Sequence, residues 1–159
     1  MKIAVAFDHR GVELRETVLE ALADHEVLDL GTHQASVRVD YPDKAREVGE
    51  RIQRGEAERG VLVCGSGVGA AVAACKMTGI RAAICHDVYS AHQGVEHDDM
   101  NVLCLGSEVV GASVARELVV AFVGAEFNTL EPRYAARLEK VADMERTMKS
   151  GQIPAAQAQ

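Results

Sequence analysis

Short apolar runs alternate along the chain with longer stretches in which apolar and charged residues recur at helical spacing. Lys2-Ile3-Ala4-Val5-Ala6-Phe7 is such a run, halted by Asp8-His9-Arg10-Gly11, and it predicts a strand buried on both faces. Val12, Leu14, Val18, Leu19 and Leu22 then fall near helical spacing, with Glu13, Arg15, Glu16 and Glu20 between them, which predicts an amphipathic helix. The same reading places further strands at 27–30, 61–64, 81–85 and 101–105. A helix opens at Asp40-Tyr41-Pro42-Asp43 and runs to about Arg54, and others cover 70–76, 88–96, 111–123 and 132–148. His97-Asp98-Asp99 is expected to interrupt the helix before the fifth strand. Strands alternating with helices imply right-handed βαβ units. The expected fold is α/β: three α/β/α layers around a five-stranded, mostly parallel, Rossmann-like sheet, plus a C-terminal helix. A single domain is expected over 1–150, with 151–159 as a flexible tail.

Composition narrows the function. The chain has 159 residues, one domain's length, and 17 Lys and Arg against 24 Asp and Glu give a net charge of −7. So acidic a chain is poorly suited to nucleic acid or anionic lipid, and any anionic ligand must be met by a local site. There is no Trp, while 14 glycines and many Val and Ala residues suit strands packed closely between helices. Cys64, Cys75, Cys85 and Cys104 stand at least ten residues apart, so no metal-ligand spacing is legible. The first apolar run reaches Asp8 too soon for a leader or a membrane span, and a cytoplasmic protein with reduced thiols is expected.

In such folds ligands bind beyond the carboxyl ends of the strands, which singles out 8–11, 31–42, 65–69 and the pair His86 and Asp87. Cys64-Gly65-Ser66-Gly67-Val68-Gly69-Ala70 lies between a strand and a helix. Its backbone N–H groups can converge on an anion or a developing oxyanion. Gly65, Gly67 and Ala70 also fit a dinucleotide fingerprint, G-x-G-x-x-A, though on the third strand instead of the first; a nucleotide-binding module is the rival reading. Cys64 at the mouth of this loop is placed to act as a thiolate nucleophile or proton-transfer base. The other three cysteines read as small hydrophobes, and His25, His33, His86 and His92 as surface or core residues. Asp8 and His9 face the same cleft, the Asp suited to hydroxyls or to a helix cap and the His to an anion or a proton. Arg133 and Arg137 are one helical turn apart and able to grip one phosphate. The loop at His97 belongs to the opposite end of the sheet.

Together these motifs resemble the ribose-5-phosphate isomerase B family, which includes galactose-6-phosphate isomerase subunits. The resemblance covers about 1–148 and rests on Asp8-His9-x-Gly11, Gly31-Thr32, Asp40-Tyr41-Pro42, the stretch Cys64 to Gly69, Asn101 with Gly106-Ser107, and the Arg133 and Arg137 pair. It implies an aldose–ketose isomerase of a sugar phosphate, foremost ribose 5-phosphate to ribulose 5-phosphate, working through an enediolate without metal or organic cofactor. It implies a homodimer with shared active sites, with a tetramer left open. Within it Cys64 is the base, Ser66 and the N–H groups of Gly65, Gly67, Val68 and Gly69 stabilise the enediolate, and His97 from the partner chain opens the sugar ring. Asp8 and Tyr41 hold hydroxyls, while His9, Arg133 and Arg137 bind phosphate. Three departures bear on substrate choice: Asp98 stands where the family often has Asn, Glu108 where many members carry Arg, and Tyr134 where His is frequent. A tetrose, another pentose or a hexose phosphate therefore stays open as the substrate.

Overall fold

The computed structural model describes residues 1–149, so the expected tail at 151–159 lies outside the described residues. Contacts divide the chain into two compact units, Met1–Phe127 and a second beginning at Asn128. The first holds β1 (Lys2–Phe7), α1 (Arg15–Ala21), β2 (Glu26–Asp29), α2 (Tyr41–Gln53), β3 (Arg59–Cys64), α3 (Val68–Ala74), β4 (Ala82–Ile84), α4 (Val88–Asp98), β5 (Val102–Gly106) and α5 (Ala112–Gly124). The second holds α6 (Pro132–Lys149). No helix among the described residues is long and apolar enough to cross a membrane.

All five strands are parallel, in the order β2-β1-β3-β5-β4. Strand alternation sorts the core into two faces. Ile3, Val5, Phe7, Val61, Val63, Leu103 and Leu105 pack with Val18 of α1, Val95 of α4 and Leu118 and Phe122 of α5. Ala4, Ala6, Leu62, Cys64 and Cys104 face Val48 of α2 and Ala70 and Ala74 of α3. The small side chains on this second face bring α2 and α3 close to the sheet, and Cys64 points the same way.

The strand order reverses direction between β1 and β3. The chain leaves β1 towards β2 on one side and leaves β3 towards β4 on the other, which opens a crevice between the two strand ends. Asp8–Gly11 and Cys64–Gly69 therefore meet: the Asp8 N–H donates to the Val63 carbonyl at 3.0 Å. A Cβ on Gly11 would stand 2.1 Å from that same oxygen, so only glycine lets the first loop lie on the end of β3.

The elements deviate from the sequence expectation mainly at their ends. Helix α3 begins at Val68, two residues early, because Gly67 adopts φ +81 and supplies the turn out of β3. Helix α4 extends through His97 and Asp98 before Asp99, at φ 49, ends it; the expected interruption is the last helical turn. The first helix is split, a 3₁₀ turn over Gly11–Leu14 preceding α1.

Candidate active site

Cys64 closes β3, buried at 4% exposure, and its Sγ accepts the Gly67 N–H at 3.1 Å. The thiol is thus folded into the loop that follows it. Exposed Ser66 turns its Oγ back to accept the Val68 N–H at 3.3 Å. Two of the N–H groups expected to face a ligand, those of Gly67 and Val68, are spent inside the loop. Those of Ser66 and Gly69 make no such bond among the described residues.

Tyr41, the first residue of α2, lays its ring against Gly69: a Cβ there would meet three ring carbons at 2.7–2.9 Å. The β5 end is equally close, since a Cβ on Gly106 would stand 2.6 Å from the Ser66 backbone. Beyond it the Ser107 N–H donates to the Cys64 carbonyl at 2.9 Å and the Glu108 N–H to the Gly65 carbonyl at 3.0 Å. These contacts fix the glycine loop from both sides.

From β1, Asp8 is buried and accepts the N–H groups of Arg10 at 2.9 Å and Gly11 at 2.8 Å on Oδ1 alone. It caps the turn as expected of an Asp there, and Oδ2 has no protein donor among the described residues. The His9 Nδ1–H donates to the Val39 carbonyl at 3.2 Å, so Nε2 is the ring nitrogen left to face a ligand. Asp87, near the strand end that a dinucleotide's ribose would need, is instead the N-cap of α4. It accepts the N–H and the hydroxyl of Ser90, both at 2.8 Å, and these bonds hold its carboxyl below the ordinary range.

His97 is not brought to Cys64 within one chain. Helix α4 runs back along the sheet and delivers His97 and Asp98 to the end where β5 starts, about 13 Å along the strand from where it finishes. There the Gln93 amide donates to His97 Nδ1 at 2.7 Å. Asn101 clamps the same end, accepting the Arg81 N–H and donating to the Gly79 carbonyl, each at 2.8 Å. Arg133 and Arg137 both lie exposed on α6, in the second unit, where Arg133 stacks on the Tyr134 ring at 5.2 Å and pairs with Glu131 at 3.5 Å.

Of the remaining thiols, Cys85 and Cys104 are buried as expected. Burial and Asp87 push Cys85 up to about 11, and burial lifts Cys104 well above an ordinary thiol. Cys75 corrects the expectation: it is exposed, its Sγ–H donating to the Ala82 carbonyl at 3.2 Å. The sequence reading passed over Arg10, whose guanidinium lies across Gly65; its one signal was a cation set between His9 and Gly11.

The model of a family described as ribose/galactose isomerase matches residues 3–141. The chain belongs to that family. Ribose-5-phosphate isomerase B of Escherichia coli is 40% identical over 91% of this chain and 96% of its own. D-erythrulose-4-phosphate isomerase 2 of Mycolicibacterium smegmatis is also 40% identical, over 80% of this chain and 87% of its own. The structure of Clostridium thermocellum ribose-5-phosphate isomerase B superposes with a TM-score of 0.88 at 40% identity, covering 93% of this chain and 99% of that one. As a member of the ribose/galactose isomerase family the chain is an enzyme, and its parallel α/β sheet is the architecture of its relatives.

Proposed function

We propose that this chain interconverts an aldose phosphate and its ketose through an enediolate, with ribose 5-phosphate and ribulose 5-phosphate as the leading pair. The observation that carries the reading is Cys64 Sγ, held by the Gly67 N–H at the end of β3 inside a loop rich in N–H donors. Removing a proton from the carbon beside a carbonyl requires a base and a partner for the oxygen that gains charge, and the two are adjacent here. Cys64 takes the proton from C2 of the opened aldose, and the oxygens of the resulting enediolate fall to the N–H groups of Ser66 and Gly69. The thiol then returns a proton to C1 while the proton of the C2 hydroxyl passes to the oxygen on C1, giving the ketose with no net change in protons. The N–H of Gly67 serves the sulfur and that of Val68 serves Ser66, so their part is to hold the loop.

Asp8, through Oδ2, and Tyr41, lying on Gly69, bind sugar hydroxyls; His9 Nε2, Arg133 and Arg137 bind the phosphate. His97 of the partner subunit opens the sugar ring, with Asp98 beside it. This requirement for a second chain is supported by the placement of His97 at the far end of β5. Val68 and Val72, one turn apart on α3, and Tyr89 on α4 are all more than half exposed, the kind of surface that a homodimer covers. Dimers pairing into a tetramer are compatible with the same surfaces. A cytoplasmic setting fits four free thiols.

Identity does not choose the sugar, because relatives at 40% bear both a pentose and a tetrose phosphate in their names. The test is a panel of C4 to C6 aldose phosphates assayed for ketose formation. Turnover of ribose 5-phosphate above the rest is expected; turnover of none would overturn the reading.

A further inference from the structure

Arg10 stands outside every role assigned above, yet its side chain is built into the site. Its Cδ, Nε and Cζ come within 3.0–3.1 Å of where a Gly65 Cβ would be, so the guanidinium lies flat on the residue next to Cys64. Nη2 forms an ion pair with Oε1 of Glu108, and both side chains remain about half exposed. The backbones beneath them are fastened to the same loop. The Arg10 N–H donates to Asp8 Oδ1 at 2.9 Å, and the Arg10 carbonyl accepts the Ser107 hydroxyl at 2.9 Å. Ser107 and Glu108 in turn donate their N–H groups to the carbonyls of Cys64 and Gly65.

An exposed ion pair contributes little to stability, so its consequence is orientation. The guanidinium carries five N–H donors in a planar fork, and among the described residues its one ion pair is with Glu108, which leaves other donors for a ligand. That fork matches two oxygens of a phosphate better than it matches a hydroxyl. In a chain of net charge −7, a cation fixed beside the reacting thiol also draws in an anionic substrate.

We propose that Arg10 is a further phosphate-binding residue of this isomerase and that Glu108 is the positioning residue that holds its guanidinium over Gly65. The proposal rests on the isomerase reading and deepens it: the phosphate is met from the β1 loop by His9 and Arg10 together. Without Arg10, the Glu108 carboxylate would stand uncompensated at the mouth and repel the phosphate.

The test measures inhibition by inorganic phosphate together with KM and kcat for the preferred sugar phosphate, in the full-length enzyme. Arg10→Gln is expected to raise the phosphate Ki and KM about tenfold or more, as expected for loss of a charged hydrogen bond, with the loss falling on KM and not on kcat. Arg10→Lys, which keeps the charge without the fork, is expected between Arg10→Gln and wild type and guards against a folding artefact. Adding Glu108→Gln to Arg10→Gln is expected to recover part of the loss, and Glu108→Gln alone to raise KM about threefold by freeing the guanidinium. An active wild type whose Arg10→Gln variant keeps the wild-type Ki for phosphate overturns the Arg10 assignment. A Glu108→Gln variant that binds phosphate as well as wild type overturns the positioning role. Wild-type protein inactive on every aldose phosphate overturns the isomerase reading itself, a distinguishable result.

Discussion

Cys64 is as buried as the aliphatic residues around it, yet its sulfur accepts a backbone N–H, that of Gly67. Replacing it with Ala removes the proposed base and little volume, so kcat is expected to fall by about a hundredfold to ten-thousandfold while the melting curve is preserved. Gly67 is constrained differently. At φ +81 any side chain is strained, and Gly67→Ala is expected to cost about 1–2 kcal/mol in denaturant unfolding and to displace the N–H that serves Cys64. Cys85 and Cys104 should stay protonated and unlabelled by a thiol reagent in the native protein, while exposed Cys75 reacts. Because burial raises Cys85 to about 11 from 9.0, the folded state keeps a proton that the unfolded state releases. Its contribution to stability is complete below pH 9 and is lost as pH rises towards 11, which unfolding at pH 8 and 10.5 would detect. The place of Cys64 was legible because the apolar run of β3 ends there against three alternating glycines. Arg10 was not, because a charged residue in a turn reads as solvated and its partners, Ser107 among them, lie 97 residues away.

At the scale of elements, the site depends on how three strand ends are closed. Asp8 ties the β1 end through Oδ1, so Asp8→Ala is expected to cost about 1–2 kcal/mol in unfolding, whereas Asp8→Asn keeps that acceptor and most of the stability. Both should lose substrate affinity, since Oδ2 is the oxygen left for a hydroxyl; a variant as tight-binding as wild type would remove Asp8 from the site. The strands were readable from their apolar runs, because β1, β3 and β5 are buried on both faces. Helix ends were less so. Asp99 closes α4 with positive φ, a conformation the periodicity of Val88 to Glu96 does not encode, and Arg81 fastens it by donating from Nε to the Asp99 carbonyl at 2.6 Å. The start of α3 likewise follows from Gly67's backbone and not from its neighbours' hydropathy.

Across the whole molecule, one parallel sheet places Cys64, the proposed base, and the proposed ring-opening histidine at opposite ends. The alternation of runs was sufficient to foresee a five-stranded, mostly parallel sheet, and the topology to foresee that His97 would be remote. What no single chain's pattern encodes is which surface meets a second copy; Val68, Val72 and Tyr89 become candidates only once the helices are placed. A protein that is monomeric and active by sizing chromatography would leave His97 without a role. The shared site can be tested more directly by complementation. Cys64→Ala and His97→Ala, each nearly inactive alone, are co-expressed with different tags, and the mixed dimer is purified through both. Each mixed dimer holds one site with both residues intact, so about half the wild-type turnover per dimer is expected. A mixed dimer as inactive as its parents would contradict a site that joins Cys64 of one chain to His97 of the other.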